Sequence, residues 1–269
     1  VDVILTGHTH DAIPRAIKIK NTLLLSSGSH GKYLGRIDLK VDNGKVIDSS
    51  SNLIPIFSDI IQPDPEMNKL IDKIREPYEE ECNRVVGEAE TLLYRRGNFG
   101  GPWDSVICDA IIQKRDTQIS LSPGFRWGTT LLPGQKITID DIYSQTSMNY
   151  PEVYRTEMSG ETIKNLLEDV CDNIFNPDPF FQQGGDMVRV GGMSYTCHPK
   201  NKMGNRISDL SLLSSGEKIE AQKKYTIGGW GSINPDVEGP AIYNVLEDYI
   251  LDKQNISPMQ NNPVTIKGV

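Results

Sequence analysis

The sequence predicts a mixed α/β, α+β-type protein, and three observations carry that prediction. Short alternating or β-branched apolar runs crowd the first 55 positions. A charged stretch near 64–83 then places Met67, Leu70, Ile71 and Ile74 at helical spacing. From about residue 84 onward, helix-period and strand-period segments follow one another to the end of the chain.

Val1, Val3, Ile4 and Leu5 read as a short buried strand that Gly7 ends. Ala16 to Lys20 alternates, and Thr22 to Leu25 is a second short strand. Tyr33 to Val41 alternates again through Leu34, Ile37, Leu39 and Val41. Asp42-Asn43-Gly44-Lys45 is a hairpin signal, and Val46-Ile47 starts the return strand. Ser49 to Asn52 reads as a polar break. Pro63 and Pro65 precede the helix, with Asp64 as its N-cap and an end near Asn83. These features divide the chain into 1–60, a connecting helix at 61–83, and a second domain at 84–269.

In the second domain, Arg95 to Gly101 is basic and glycine-rich, and Trp103 to Lys114 reads as a helix. The strand Ile119 to Leu121 breaks into Ser122-Pro123-Gly124-Phe125-Arg126-Trp127-Gly128. Thr138 caps a helical turn through Tyr143, and Val153 to Met158 is a strand. Ser159 caps a helix carrying Ile163, Leu166, Leu167 and Val170. A short strand lies between the double glycines 184–185 and 191–192. Strands at Ile207 to Leu213 and Tyr225 to Gly229 and a helix at Tyr243 to Leu251 complete the chain.

Composition narrows the function. A formal net charge of −8 argues against sequence-independent nucleic-acid binding, which needs a basic face. No run of about 18 apolar residues occurs, so no membrane-spanning helix is expected. The four cysteines, Cys82, Cys108, Cys171 and Cys197, form no Cys-x-x-Cys pair, which argues against a structural zinc. Cys108 and Cys171 lie among apolar residues and read as buried free thiols, while the sequence leaves a disulfide, and with it the redox compartment, open.

Two groups of residues carry chemistry. Of four histidines, His8 and His10 fall two residues apart after the first strand. An extended backbone would point both imidazoles to one side, as divalent-metal ligands require, although a polar loop would have the same spacing. His30, in a glycine-flanked turn, reads as a surface residue. Arg126 sits on a glycine-bounded loop at a strand end. Its planar donor fork suits an oxyanion, and aromatics flank it. Asp186 and Arg189 are candidates for a binding role or for a plain surface pair, and spacing alone does not decide between them.

Gly-His-Thr-His-Asp (7–11) after an aliphatic strand resembles the last metal-binding motif of the calcineurin-like metallophosphoesterases. That resemblance implies that His8 and His10 bind different metals of a dinuclear pair. The family's other ligands precede this motif and are not found here. The chain is therefore expected to be the C-terminal part of a larger enzyme, and to hold metal poorly and be inactive alone. Ser-Pro-Gly-Phe-Arg (122–126), Pro-Gly-Gln-Lys-Ile-Thr-Ile-Asp-Asp-Ile-Tyr (133–143) and Met-Ser-Gly-Glu-Thr-Ile-Lys-Asn-Leu-Leu-Glu (158–168) resemble the 5′-nucleotidase family. This implies the end of a metallophosphoesterase β-sandwich at 1–60, a linker helix, and a 5′-nucleotidase-type substrate-recognition domain at 84–269. Where nucleotidases carry two base-stacking phenylalanines, this chain has Met148 and the string Gly-Gly-Trp-Gly-Ser around Trp230.

Phe-Gly-Gly-Pro-Trp (99–103) and Gly-Gly-Asp-Met-Val-Arg-Val-Gly-Gly (184–192) are similar instead to the SoxB thiosulfohydrolases. That likeness implies a periplasmic hydrolase with two Mn²⁺. It would release sulfate from a cysteine S-thiosulfonate on the Gly-Gly-Cys-Gly-Gly-type tail of a SoxY-type carrier protein. Arg126 is then the catalytic candidate. Arg96, Asp186, Arg189, Trp230 and Met148 join it as substrate-binding candidates. Glycines around 100, 184 and 191 would let a peptide backbone pass closely. A nucleotidase or UDP-sugar hydrolase, and a binding module without catalysis, are the alternatives.

Overall fold

The computed structural model describes every residue except 183–184, 233, 235, 260–262 and 269. It divides into two units, Val1–Tyr78 and Glu79–Val269.

In the first unit, β1 (Val3–Thr6), β2 (Ile17–Ile19) and β3 (Thr22–Ser26) form a sheet of order β1-β3-β2, with β1 and β3 parallel. The long strands β4 (Tyr33–Asp42) and β5 (Lys45–Pro55) make the expected hairpin. Its turn puts Asn43 and Gly44 at positive φ, as a two-residue connection demands. Two expectations change. Ser49 to Asn52 is no break, because β5 runs through it with Ser49 paired to Leu39 and Asn52 to Arg36. Backbone pairing along a solvated strand tolerates serine. The first strand is also not buried: Leu5 is 74% exposed, since β1 pairs only with β3 and little covers its faces.

α1 (Pro65–Arg75) is capped by Asp64, whose carboxylate accepts from the backbone N–H of Glu66 and Met67. The run expected to stay helical to Asn83 breaks at Pro77. A 3₁₀ turn (Glu76–Tyr78) intervenes before α2 (Glu79–Cys82), because proline withholds the N–H that an α-helix needs.

The second unit continues with β6 (Val85–Ala89), α3 (Pro102–Arg115), β7 (Ile119–Ser122), β8 (Lys136–Thr138) and α4 (Ile139–Thr146). β9 (Tyr154–Ser159), α5 (Gly160–Ile174), β10 (Arg189–Gly191), β11 (Met193–Cys197) and β12 (Ile207–Leu212) follow. β13 (Lys224–Gly229), α6 (Ile242–Lys253), β14 (Asn255–Ile256) and β15 (Val264–Ile266) complete it. The central sheet has the order β10-β7-β13-β9, with β7 and β13 parallel. Smaller sheets β12-β11-β15 and β14-β6-β8 accompany it.

Two apolar cores result. One gathers α3, α4 and α6 around Trp103, Ile107, Ile111, Leu246 and Ile250. The other packs Ile163 and Leu167 of α5 against Ile119, Tyr225 and Ile227 of the central sheet. The caps Thr138 and Ser159 are used as the sequence predicts: each hydroxyl accepts from the backbone N–H three residues on. No helix among the described residues is long and apolar enough to cross a membrane.

Candidate oxyanion site

The loop 123–128 leaves the end of β7 and carries Arg126 between Phe125 and Trp127. Its path is fixed from beneath by Arg95. That guanidinium donates from Nε to Asp104 Oδ1 (2.7 Å), from Nη1 to the Gln145 carbonyl (2.6 Å) and from Nη2 to the Pro123 carbonyl (3.1 Å). It also lies 5.2 Å from the centroid of the Phe125 ring, a cation–π contact. Gln145 donates to the Thr129 carbonyl at the far end of the loop (2.9 Å). Gly124 is needed where it stands, because a Cβ there would lie 2.6 Å from the Met187 carbonyl oxygen. The loop therefore runs directly against the Asp186–Met187 backbone.

Charges alternate across this region. Arg95 pairs with Asp104, and Asp104 Oδ2 lies 3.5 Å from Arg189 Nε. Arg189 Nη2 donates to Asp186 Oδ2 at 2.9 Å, and the same carboxylate oxygen is 3.5 Å from Arg126 Nε. The expected Asp186–Arg189 pair exists, but it is buried rather than on the surface: each side chain is 1% exposed. α3 and the 123–128 loop cover it, the loop carbonyl of Phe125 accepting from Arg189 Nη2. Burial pushes the Asp186 carboxyl up, against the opposing charges of Arg189, Arg126 and Arg96.

Three guanidiniums and two carboxylates leave a surplus of positive charge, and Arg96 adds to it. Within this ion-paired set Arg126 is the member that reaches solvent, its side chain being 17% exposed while Arg95, Asp104, Asp186 and Arg189 are at 3% or less; Arg96 is likewise half-buried. A guanidinium in this position can grip a tetrahedral oxyanion through two parallel N–H donors. Arg189 also lines, with Phe99, Gly100, Gly101 and Ser105, a cleft of about 290 Å³ at the start of α3, whose walls do not include Arg126.

The structure brings Arg96, Arg126, Asp186 and Arg189 together. Trp230 lies behind them, 3% exposed, donating from its indole N–H to Ser122 Oγ (2.8 Å) and meeting Phe125 edge-on at 5.9 Å. It braces the loop rather than offering a face to a ligand. Met148 is half-buried and lines a separate hollow with Tyr143 and Tyr243. Of the glycines expected to admit a peptide, Gly100 lines the cleft, whereas Gly191 faces α3. A Cβ on Gly191 would meet Cys108 and Ser120, so its smallness serves helix–strand packing. Gly184 lies outside the described residues.

Arg95, Asp104 and Gln145 are the members of the site that sequence reading missed. A signal for one of them was present: Asp104 at the third position of α3 also accepts from the Gly101 N–H, as acidic residues near helix starts do.

His8 and His10 belong to the other unit. His10 takes a left-handed backbone (φ +58°), and its Nδ1 is buried with no hydrogen-bond partner. His30 has the same φ, and its imidazole is held below its ordinary value, first by burial and then by Lys32 and His10. An orphaned ring nitrogen fits a metal ligand. Among the described residues no group of three or more His, Cys, Asp or Glu gathers around it, so the donors present fit a share of a metal site.

The model of the 5′-nucleotidase C-terminal domain matches residues 85–232. The trifunctional nucleotide phosphoesterase protein YfkN of Bacillus subtilis (strain 168) is 25% identical over 240 residues, covering 81% of this chain and 15% of that protein. The 5′-nucleotidase of Diplobatis ommata is 25% identical over 215 residues, or 71% of this chain and 34% of that one. Among solved structures, the sulfate thiohydrolase SoxB of Thermus thermophilus, in complex with glycerol, superposes with a TM-score of 0.94 at 31% identity. That match covers 100% of this chain and 51% of that one. A 5′-nucleotidase precursor, also from Thermus thermophilus, shares the fold at a TM-score of 0.80 and 16% identity, over 98% of this chain and 59% of that one. The chain thus spans about half the length of the SoxB structure and less of the curated relatives. With the loop, its bracing and the domain match in place, the chain belongs to the 5′-nucleotidase C-terminal domain family.

Proposed function

We propose that this chain provides the oxyanion-gripping part of a periplasmic hydrolase that releases sulfate from a cysteine S-thiosulfonate on a SoxY-type carrier protein. The observation that carries this reading is the whole-chain likeness to a sulfate thiohydrolase, at 31% identity. The packing of the loop supports it. Phe125 and Trp127 stack on each other with centroids 3.9 Å apart. At the positions where nucleotidases stack a base, Met148 has no aromatic face and Trp230 is buried against Ser122 and Phe125.

In this reading Arg126 binds the terminal sulfonate oxygens and stabilises the charge that develops on them, with Arg96 adding its field. Asp186 and Arg189 hold the Arg126 fork in place. The bond between the sulfonate sulfur and the carrier-borne sulfur breaks. The electron pair stays on the carrier-borne sulfur, which takes a proton, and the oxygen of water ends in sulfate. His8 and His10 are the residues of this chain that would hold metal, one ion each, with Mn²⁺ as the first choice. A bound metal pair would supply a water of lowered pKa.

The test offers the intact enzyme AMP and, separately, a peptide ending in Gly-Gly-Cys-Gly-Gly with the cysteine thiosulfonated. Sulfate release from the peptide is expected, and Arg126→Ala should slow it by about 100-fold. The family match favours a second reading, a nucleotide hydrolase. Efficient AMP hydrolysis without sulfate release would establish that reading and end the first.

A further inference from the structure

We propose that Cys171 and Cys197 are a disulfide site, a covalent tie between α5 and β11 made when the chain folds in an oxidising compartment. The periplasmic reading above supplies the compartment, and the chemistry can be tested without it. The two sulfurs lie 3.5 Å apart, one thiol donating to the other, and both residues are fully buried. Closing that gap to a bond of about 2.05 Å takes under about 1 Å from each sulfur.

The backbone around the pair is held independently of the sulfurs. On α5, Glu168 accepts from the N–H of Arg206 (2.9 Å) and Ile207 (3.0 Å), and Asp172 accepts from Gly204 N–H (2.7 Å) and Arg206 Nη1 (2.5 Å). Cys197 is paired in the sheet with Ile207. Both cysteines are thus anchored, from opposite sides, to the same short segment 204–207.

The shared hydrogen bond and burial push the Cys171 thiol up, while the same hydrogen bond draws the Cys197 thiol down. Both thiols are fully buried in the folded chain, out of reach of an external disulfide donor. The bond is therefore made during folding, while both thiols still meet solvent. An external disulfide donor such as oxidised glutathione accepts the two electrons. Two S–H bonds and the donor's S–S bond break, one protein S–S bond forms, and both hydrogens end on the two donor thiols.

The full chain is unfolded, refolded in a glutathione redox mixture, alkylated and cut with trypsin. Peptide 165–189 should appear joined to peptide 190–200, with Cys82 and Cys108 alkylated. The oxidised protein should melt about 5 °C above the same protein refolded under reduction, a comparison that needs no variant. Alkylation of all four cysteines in the refolded protein would overturn the proposal, as would joined peptides containing Cys82 or Cys108. A carrier-peptide assay that fails while the linked peptides appear would remove the functional reading and leave the cross-link standing.

Discussion

The two units are built from equally regular elements and differ in what those elements cover. In Val1–Tyr78, β4 and β5 are the longest strands of the chain, yet Leu25 is the only buried hydrophobic side chain among the described residues of that unit. In Glu79–Val269 even the three-residue strands β8 and β10 place Ile137 and Val190 in a core. Ladder hydrogen bonds arise from local pattern, but burial needs a second layer. Regularity and stability therefore separate in this chain, and the second unit alone is closed over its own side chains.

The sharpest way to break that comparison is through the buried charges of the second unit. Asp104→Ala leaves Arg95 and Arg189 without their shared carboxylate. It should cost about 3–5 kcal/mol in denaturant unfolding, because a buried charge then loses its partner. A loss under 1 kcal/mol would mean that the network is not closed to water as described.

Next comes a matched pair of truncations. Ile107→Ala, in a fully buried position of α3, should cost about 2–4 kcal/mol, whereas Leu39→Ala on the exposed β4 should stay within about 0.5 kcal/mol. Equal losses would show that the first unit buries more than its surface indicates.

Asp109 offers a pH test. Burial raises its carboxyl to about 6, against the backbone N–H it accepts from Met259. The folded state then holds the proton more tightly than the unfolded one. The contribution of Asp109 to stability is greatest below about pH 4, falls as pH rises from about 4 to about 6, and is level above, by about 3 kcal/mol in all. Asp109→Asn keeps an acceptor for Met259 and should flatten that slope in pH-dependent melting. An unchanged slope would assign it to another group. Smallest of the four, Ser159→Ala removes the cap of α5 and should cost about 1 kcal/mol, read by hydrogen exchange in the first turn of that helix.

What could be read from the sequence follows the same division. Caps at Asp64, Thr138 and Ser159 and the Asp42–Lys45 turn are local chemistry and were legible. β6, β11, β14 and β15 were not. They are short, and their existence depends on partners far along the chain, as when Glu88 pairs with Asn255. The serines of β5 hid a strand because their partners on β4 supply the ordering. At the site, Arg126 was visible from its glycine-bounded loop. The burial of Asp186 and Arg189 was not, because Asp104, which neutralises Arg189, comes from a helix on a different stretch of chain. Arg95 was indistinguishable from its neighbour Arg96 until the fold turned one inward.

The parallel pairing of β7 with β13 has a consequence during synthesis. Gln118 and Thr226, which hydrogen-bond at the foot of that pair, are 108 residues apart. At about 5–20 residues per second, β7 waits roughly 5–20 s after it leaves the ribosome before its central neighbour exists. Throughout that interval Ile119 and Leu121, which end buried, have no β13 beside them. A nascent chain in that condition is a natural client for chaperones, and synonymous codons that slow translation between these two strands would lengthen its exposure.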